Sequence, residues 1–158
     1  MDYQKAANDF FDSTSTHIVS VYEPDHAKIM INQIISRAQT KIDIFWKDWL
    51  VFTEDMHLFV SLSQAIARGV QIRIITEDWG GLAFFKNRGI NFMMAEKSAL
   101  SNTNFNFIVA DTKMFRTEVL EDKDKQFVAA NDPELAEKIH TLFDKEWEMS
   151  LTVEKSVV

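Results

Sequence analysis

The chain has 158 residues, of which 46% are hydrophobic and 26% charged, values typical of one folded domain and not of a disordered chain. Its 17 basic and 24 acidic residues give a net charge of −7, which disfavours direct binding to nucleic acid or to anionic membranes. The sequence contains no cysteine, which excludes disulfides, thiolate metal sites and a cysteine nucleophile.

The N-terminal stretch MDYQKAANDFFDSTSTH has neither a basic start nor an apolar run, unlike a secretory signal. No apolar stretch approaches the roughly 20 residues that a membrane-spanning helix needs. We therefore expect a cytoplasmic protein with no membrane partner. The four histidines are too widely spaced for a zinc motif, and we expect neither a metal nor a cofactor.

The first two thirds of the chain alternate between helical and strand patterns. Pro24 suits the first turn of a helix, and Gly69 and Gly89 suit helix C-termini. In chain order, the patterns predict a helix over residues 2–12, a strand over 17–22, a helix over 23–40, a strand over 41–46, a helix over 55–68, a strand over 70–77, a short helix within 79–89 and a strand over 90–95.

The last third has a different pattern. Strands are predicted over residues 104–111, 113–120 and 126–130, with no room for helices between them. The connections are short enough for hairpin turns, so these strands are predicted to be antiparallel. A last helix begins at residue 131 or 132 and runs through Trp147. The first four strands, which alternate with helices, are predicted to form a parallel half joined to this antiparallel half. The whole order predicts an α/β fold, with a single mixed sheet of about six or seven strands flanked by helices on both faces.

Ligands of such sheets bind beyond the carboxyl ends of the parallel strands. Tryptophans at these ends suit a sugar, a flat ring or a quaternary amine, and acids there can accept hydrogen bonds from hydroxyl groups. The alternatives are core or lid packing for the tryptophans, and a helix cap or a solvated loop for the acids. The candidates at these ends are Trp46, Asp48, Trp49, Glu77, Asp78 and Trp79.

The order of several segments resembles a phospholipase D-like domain over about residues 22–149. The matching segments include IISRAQTKIDIFW, LSQAIARGVQIRIITED, FFKNRGINF and FNFIVADTKMF, followed by a terminal helix that ends in F...W. The resemblance implies a phospholipase D-like domain over residues 17–150, with residues 1–16 as a helix or linker to an upstream region and residues 151–158 as a tail.

The resemblance also implies that catalysis has been lost. The family's HxKxxxxD motif, aligned on Asp111, places its histidine at Asn104 and its lysine at Asn106, and the GSxxN motif has no counterpart near RTEVLED. An asparagine amide forms hydrogen bonds but neither attacks phosphorus nor carries charge. We therefore expect that the chain is not an enzyme. The resemblance instead implies a sensor or regulatory module, similar to the ligand-sensing parts of TrmB-type transcription regulators and of histidine kinases.

The predicted ligand is small and polar. Asn104 and Asn106 share one face of their strand, and Arg116 and Glu118 are predicted to reach the same pocket. The alternatives are solvated asparagines and a same-face charge pair on an edge strand. Asp111 is predicted to have a structural role in a turn, and His140 to lie at the margin of the core.

Two other functions stay open at this stage. The chain could be a homodimeric interaction module with a vestigial site, because family members commonly join two such halves. It could also be a divergent phosphodiesterase or hydrolase that uses an acid at the strand ends. The predicted partners are a small polar ligand, an attached or separate output domain and a second copy of the chain.

Overall fold

The computed structural model describes residues 2–13, 15–21, 23–47, 56–77, 93–122 and 124–150. The short helix predicted within 79–89 lies outside these ranges. The described elements are, in chain order, α1 (Tyr3–Asp12), β1 (Ile18–Ser20), α2 (Pro24–Arg37), β2 (Lys41–Trp46), α3 (Met56–Ala67), β3 (Gln71–Thr76), β4 (Met93–Glu96), β5 (Phe105–Ala110), β6 (Met114–Val119), β7 (Gln126–Ala129) and α4 (Pro133–Met149).

The described helices begin and end where the local sequence favours it. The Asp132 carboxylate accepts a hydrogen bond of 3.0 Å from the Leu135 N–H group and caps α4, whose first turn contains Pro133. Pro24 takes the same place in α2. Gly69 follows α3 with a φ of 89°, a left-handed conformation that favours glycine.

The seven described strands form one mixed sheet in the order β1-β7-β6-β5-β2-β3-β4. Strands β2, β3 and β4 are parallel, and all other pairings are antiparallel. The predicted mixed sheet and antiparallel second half are confirmed. One placement was wrong: β1, predicted to belong to the parallel half, pairs antiparallel with β7 at the sheet edge. Three strands separate it from β2, so α2 carries the chain across them.

Apolar side chains cover both faces of the sheet, as predicted. On one face, Ile42 and Ile44 of β2 pack with buried residues of α1, α2 and α3. On the other face, Phe45 and Phe107 pack with Phe143 of α4. Because successive residues of a strand point to opposite faces, β2 and β5 contribute to both cores. None of the helices in the described ranges is long and apolar enough to cross a bilayer.

Candidate functional site

Four polar side chains meet on the face of the sheet that carries α2. The strand register places Asn106 of β5 opposite Glu118 of β6, and Glu118 opposite Gln126 of β7. Arg116 lies two residues before Glu118 and so points to the same face. We call Asn106, Arg116, Glu118 and Gln126 the polar cluster.

Arg116 is the most deeply buried member of the polar cluster. Its side chain is 2% exposed, and its Nη2 donates a hydrogen bond of 2.6 Å to Gln126 Oε1. Its Nη1 lies 3.7 Å from Glu118 Oε2, and its guanidinium carbon lies 5.6 Å from the centre of the Trp46 ring. Burial lowers the pKa of Arg116, and the Glu118 carboxylate opposes that shift.

The hydrogen bonds of the Arg116 guanidinium are incomplete. Its Nε and Nη1 are both buried, and neither has a hydrogen-bond partner in the part of the chain that the structure describes. Unpaired buried donors carry a free-energy cost of about 1–3 kcal/mol, and more when the group is charged. Arg116 and Glu118 do form the same-face charge pair that was the alternative prediction. Its placement on an edge strand was wrong, because β6 lies between β5 and β7 inside the sheet.

Asn104 and Asn106, which the sequence resemblance aligns with a histidine and a lysine, have different environments. Asn106 is 6% exposed, and its Oδ1 accepts a hydrogen bond of 3.0 Å from the Lys47 N–H group just after β2. Because the oxygen is used by this donor, the amide nitrogen of Asn106 is left to donate. Asn104 lies just before β5 and is exposed, and its carbonyl accepts from the Leu120 N–H group at 3.0 Å.

The structure brings together only part of the predicted site. Trp46 is buried at the end of β2, beside Arg116. Glu77 is exposed just after β3, where its carboxylate lies 3.2 Å from the Lys97 ammonium group. The remaining candidates at the strand ends, Asp48, Trp49, Asp78 and Trp79, lie outside the described residues.

Gln126 is the member of the polar cluster that was not predicted from the sequence. Gln126 lies opposite Glu118 because β6 and β7 form a hairpin. Counting the strand register outward from the turn at 121–125 could have predicted this position from the sequence. Glutamine at the start of a short strand has no distinctive pattern of its own, and the signal was therefore easy to overlook.

Asp111 has the structural role that its turn predicted. Its φ is 53°, and its carboxylate accepts hydrogen bonds from the N–H groups of Gln39, Thr40 and Lys41 and from the Thr40 hydroxyl. Burial raises the pKa of Asp111, but these hydrogen bonds lower it more, and the pKa lies below its ordinary value. The carboxylate thus joins the β5–β6 hairpin to the start of β2.

Replacing Asp111 with alanine is expected to lower the free energy of unfolding by about 2 kcal/mol, because several charge-assisted hydrogen bonds are lost at a partly exposed site. Urea unfolding followed by circular dichroism measures this change. Asp124→Ala is the matched control, because Asp124 is exposed in the β6–β7 turn. Equal stability of the two variants would show that the Asp111 carboxylate does not join these elements.

On the other face of the sheet, which α4 covers, the charged side chain of Asp43 links β2 to α4. The Asp43 carboxylate is 1% exposed and accepts hydrogen bonds of 2.8 Å and 2.9 Å from Arg73 Nε and Nη2. His140 Nδ1 lies 2.7 Å from Asp43 Oδ2, and His140 Nε2 contacts the Asp111 carbonyl oxygen. Asp144 of α4 accepts from Arg73 at 2.7 Å.

His140 was predicted to lie at the margin of the core. This was wrong, because the residue is buried, with an exposure of 5%. Its partner Asp43 is far away in sequence, so no local pattern could reveal the pair. Burial raises the pKa of Asp43, but the hydrogen bonds from His140 and Arg73 outweigh it, and the pKa lies below its ordinary value. Across the described ranges, no group of three or more acidic or histidine side chains is arranged to hold a metal ion.

Comparison of the sequence with protein-family models and with curated proteins finds no match. Solved structures do match. Nuc from Salmonella typhimurium, a phospholipase D family member, is 18% identical with a TM-score of 0.60, over 89% of this chain and 97% of Nuc. NucT from Helicobacter pylori is 16% identical with a TM-score of 0.62, over 87% of this chain and 97% of NucT.

A third similar structure is TrmBL2, an archaeal chromatin protein. It is 15% identical with a TM-score of 0.65, over 91% of this chain and 54% of TrmBL2, so this chain spans about half of its length. At identities of 15% to 18%, these similarities are evidence of the fold alone. The mixed sheet, its strand order and these neighbours together show that the chain has a phospholipase D-like fold.

Proposed function

We propose that this chain is a noncatalytic phospholipase D-like module that binds a small polar ligand at the polar cluster and acts in signal transduction or transcription regulation. The observation that carries the proposal is the buried Arg116 guanidinium, whose Nε and Nη1 have no hydrogen-bond partner among the described residues. A ligand with acceptor atoms would satisfy these donors and remove the cost of leaving them unpaired.

The side chains at the family's catalytic positions support the noncatalytic part of the proposal. The family's reaction needs a nucleophile and a cation where this chain has Asn104 and Asn106. Asn106 is held by the Lys47 N–H group and has no ionisable atom. These properties favour recognition over reaction.

Thermal unfolding in the presence of a panel of small polar metabolites tests ligand binding. We expect at least one compound to raise the melting temperature of the protein and to have no effect on Arg116→Met. Lys138→Met is the matched control, because it removes one positive charge from an exposed position of α4. Stabilisation that is equal in both variants, or absent for every compound, would contradict binding at the polar cluster.

Hydrolysis of bis(p-nitrophenyl) phosphate tests the noncatalytic part separately. We expect no hydrolysis above the rate without protein, because neither asparagine can attack phosphorus. Hydrolysis by the protein that Asn104→Ala abolishes would show an active phosphodiesterase and would overturn this part of the proposal.

A further inference from the structure

The polar cluster places a cation and an anion side by side. Arg116 Nη1 lies 3.7 Å from Glu118 Oε2, beyond hydrogen-bond distance but close enough for strong electrostatic interaction. The Glu118 side chain is 26% exposed, whereas that of Arg116 is 2% exposed. Glu118 is thus the more accessible of the two charges, and a ligand that reaches the Arg116 guanidinium lies close to both.

The polar cluster also offers both hydrogen-bond donors and hydrogen-bond acceptors. Arg116 offers Nε and Nη1, and Asn106 offers its amide nitrogen, since its oxygen accepts from the Lys47 N–H group. Glu118 offers carboxylate oxygens, which only accept when ionised. Donors and an acceptor thus lie on the same face of two neighbouring strands, β5 and β6.

The charge of the site restricts the ligand. Arg116 and Glu118 together carry no net charge, so a simple anion attracted by Arg116 is repelled by Glu118, and a simple amine is repelled by Arg116. A ligand with both an anionic and a cationic group avoids both repulsions. Because the two side chains are neighbours, the two groups of the ligand must also be close together.

We infer that the polar cluster binds a zwitterion of the amino acid class, with its carboxylate against Arg116 and Asn106 and its ammonium group against Glu118. This inference rests on the proposed function and specifies its ligand. The ligand carboxylate would supply acceptors for the buried guanidinium, in charge-assisted hydrogen bonds. The ammonium group would keep the Glu118 carboxylate neutralised while Arg116 is engaged by the ligand.

Thermal unfolding with chemically matched probes tests the inference. The probes are the twenty amino acids one by one, propionate and ethylamine as single-charge analogues, and inorganic phosphate. At about 100 times its Kd, a binding amino acid is expected to raise the melting temperature by about 5–10 °C, and the analogues at the same concentration by much less. Arg116→Met is expected to abolish the shift.

Glu118→Gln separates the two ends of the ligand. It keeps the size of the side chain and removes the partner of the ammonium group, so it is expected to reduce the shift given by the amino acid and to increase that given by propionate. Lys138→Met, at the exposed position on α4, is expected to behave as the unmodified protein. Circular dichroism confirms that each variant is folded before it is compared.

Three results would overturn the inference. If no amino acid raises the melting temperature, the ligand class is wrong. If propionate or phosphate alone stabilises the protein as strongly as the best amino acid, the site binds anions and not zwitterions. If Glu118→Gln leaves the amino acid shift unchanged, Glu118 does not bind the ammonium group. In each case, the proposed function would still hold if another metabolite raised the melting temperature and this increase required Arg116.

Discussion

Replacing Asp43 with asparagine is expected to lower the free energy of unfolding by about 3–5 kcal/mol. The carboxylate is 1% exposed and accepts from Arg73 at two nitrogens and from His140. The substitution removes the buried carboxylate that pairs with Arg73 and leaves Arg73 only its exposed partner Asp144. The asparagine amide group also adds donors where donors already converge. Urea unfolding measures the change, provided that the slope of the transition stays the same.

Asp144→Asn is the matched control for this prediction. Asp144 also binds Arg73, at 2.7 Å, but its side chain is 58% exposed. Exposed ion pairs contribute about 0–1 kcal/mol, so this variant is expected to stay close to the unmodified protein. If Asp43→Asn were as stable as Asp144→Asn, the Asp43 carboxylate would not be an essential link between α4 and the sheet.

Acid is expected to weaken the fold through the same carboxylate and through Asp111. The pKa of each lies below its ordinary value in the folded protein, because hydrogen bonds to the charged form outweigh burial. A lowered pKa means that the unfolded chain binds more protons. Both groups therefore stabilise the fold above about pH 4, and this contribution is lost as the pH falls from there through the folded-state pKa.

The difference in the free energy of unfolding between the unmodified protein and Asp43→Asn measures this loss of stability in acid for one residue. We expect the difference to be full at pH 7 and to shrink as the pH falls below about 4, because protonated Asp43 is neutral as asparagine is. Urea unfolding at pH 7, 5, 4 and 3 measures it. A difference that stays constant down to pH 3 would mean that the pKa of Asp43 lies far below this range or that charge does not cause the loss.

Local patterns in the sequence predicted most of the fold. The strand at residues 41–46 has the predicted bounds, and the predicted helix after residue 131 begins beside its Asp132 cap. These features depend on neighbours within a few residues, namely alternation, prolines and caps. The antiparallel pairing of β1 with β7 depends on contacts between distant parts of the chain, which no local pattern contains.

The candidate site was predicted in part for the same reason. Alternation in β5 and β6 placed Asn106, Arg116 and Glu118 on one face, and the register confirms their proximity. The sequence could not show that β6 is an inner strand, because its second neighbour is known only once the sheet is assembled. The burial of Asp43 with His140 was equally out of reach, since the alternating pattern KIDIFW is also typical of a strand with one solvated face.

The most direct test of a ligand site at the polar cluster is the stability of Arg116→Met without ligand. Because two donors of the buried guanidinium are unpaired within the described residues, methionine is expected to be neutral or stabilising, with a free energy of unfolding no more than about 1 kcal/mol lower. Glu118 is partly exposed, so it can be solvated when Arg116 is removed. A loss of about 3 kcal/mol or more would contradict the account, since it would show that Arg116 is a fully paired structural residue and not one that awaits a ligand.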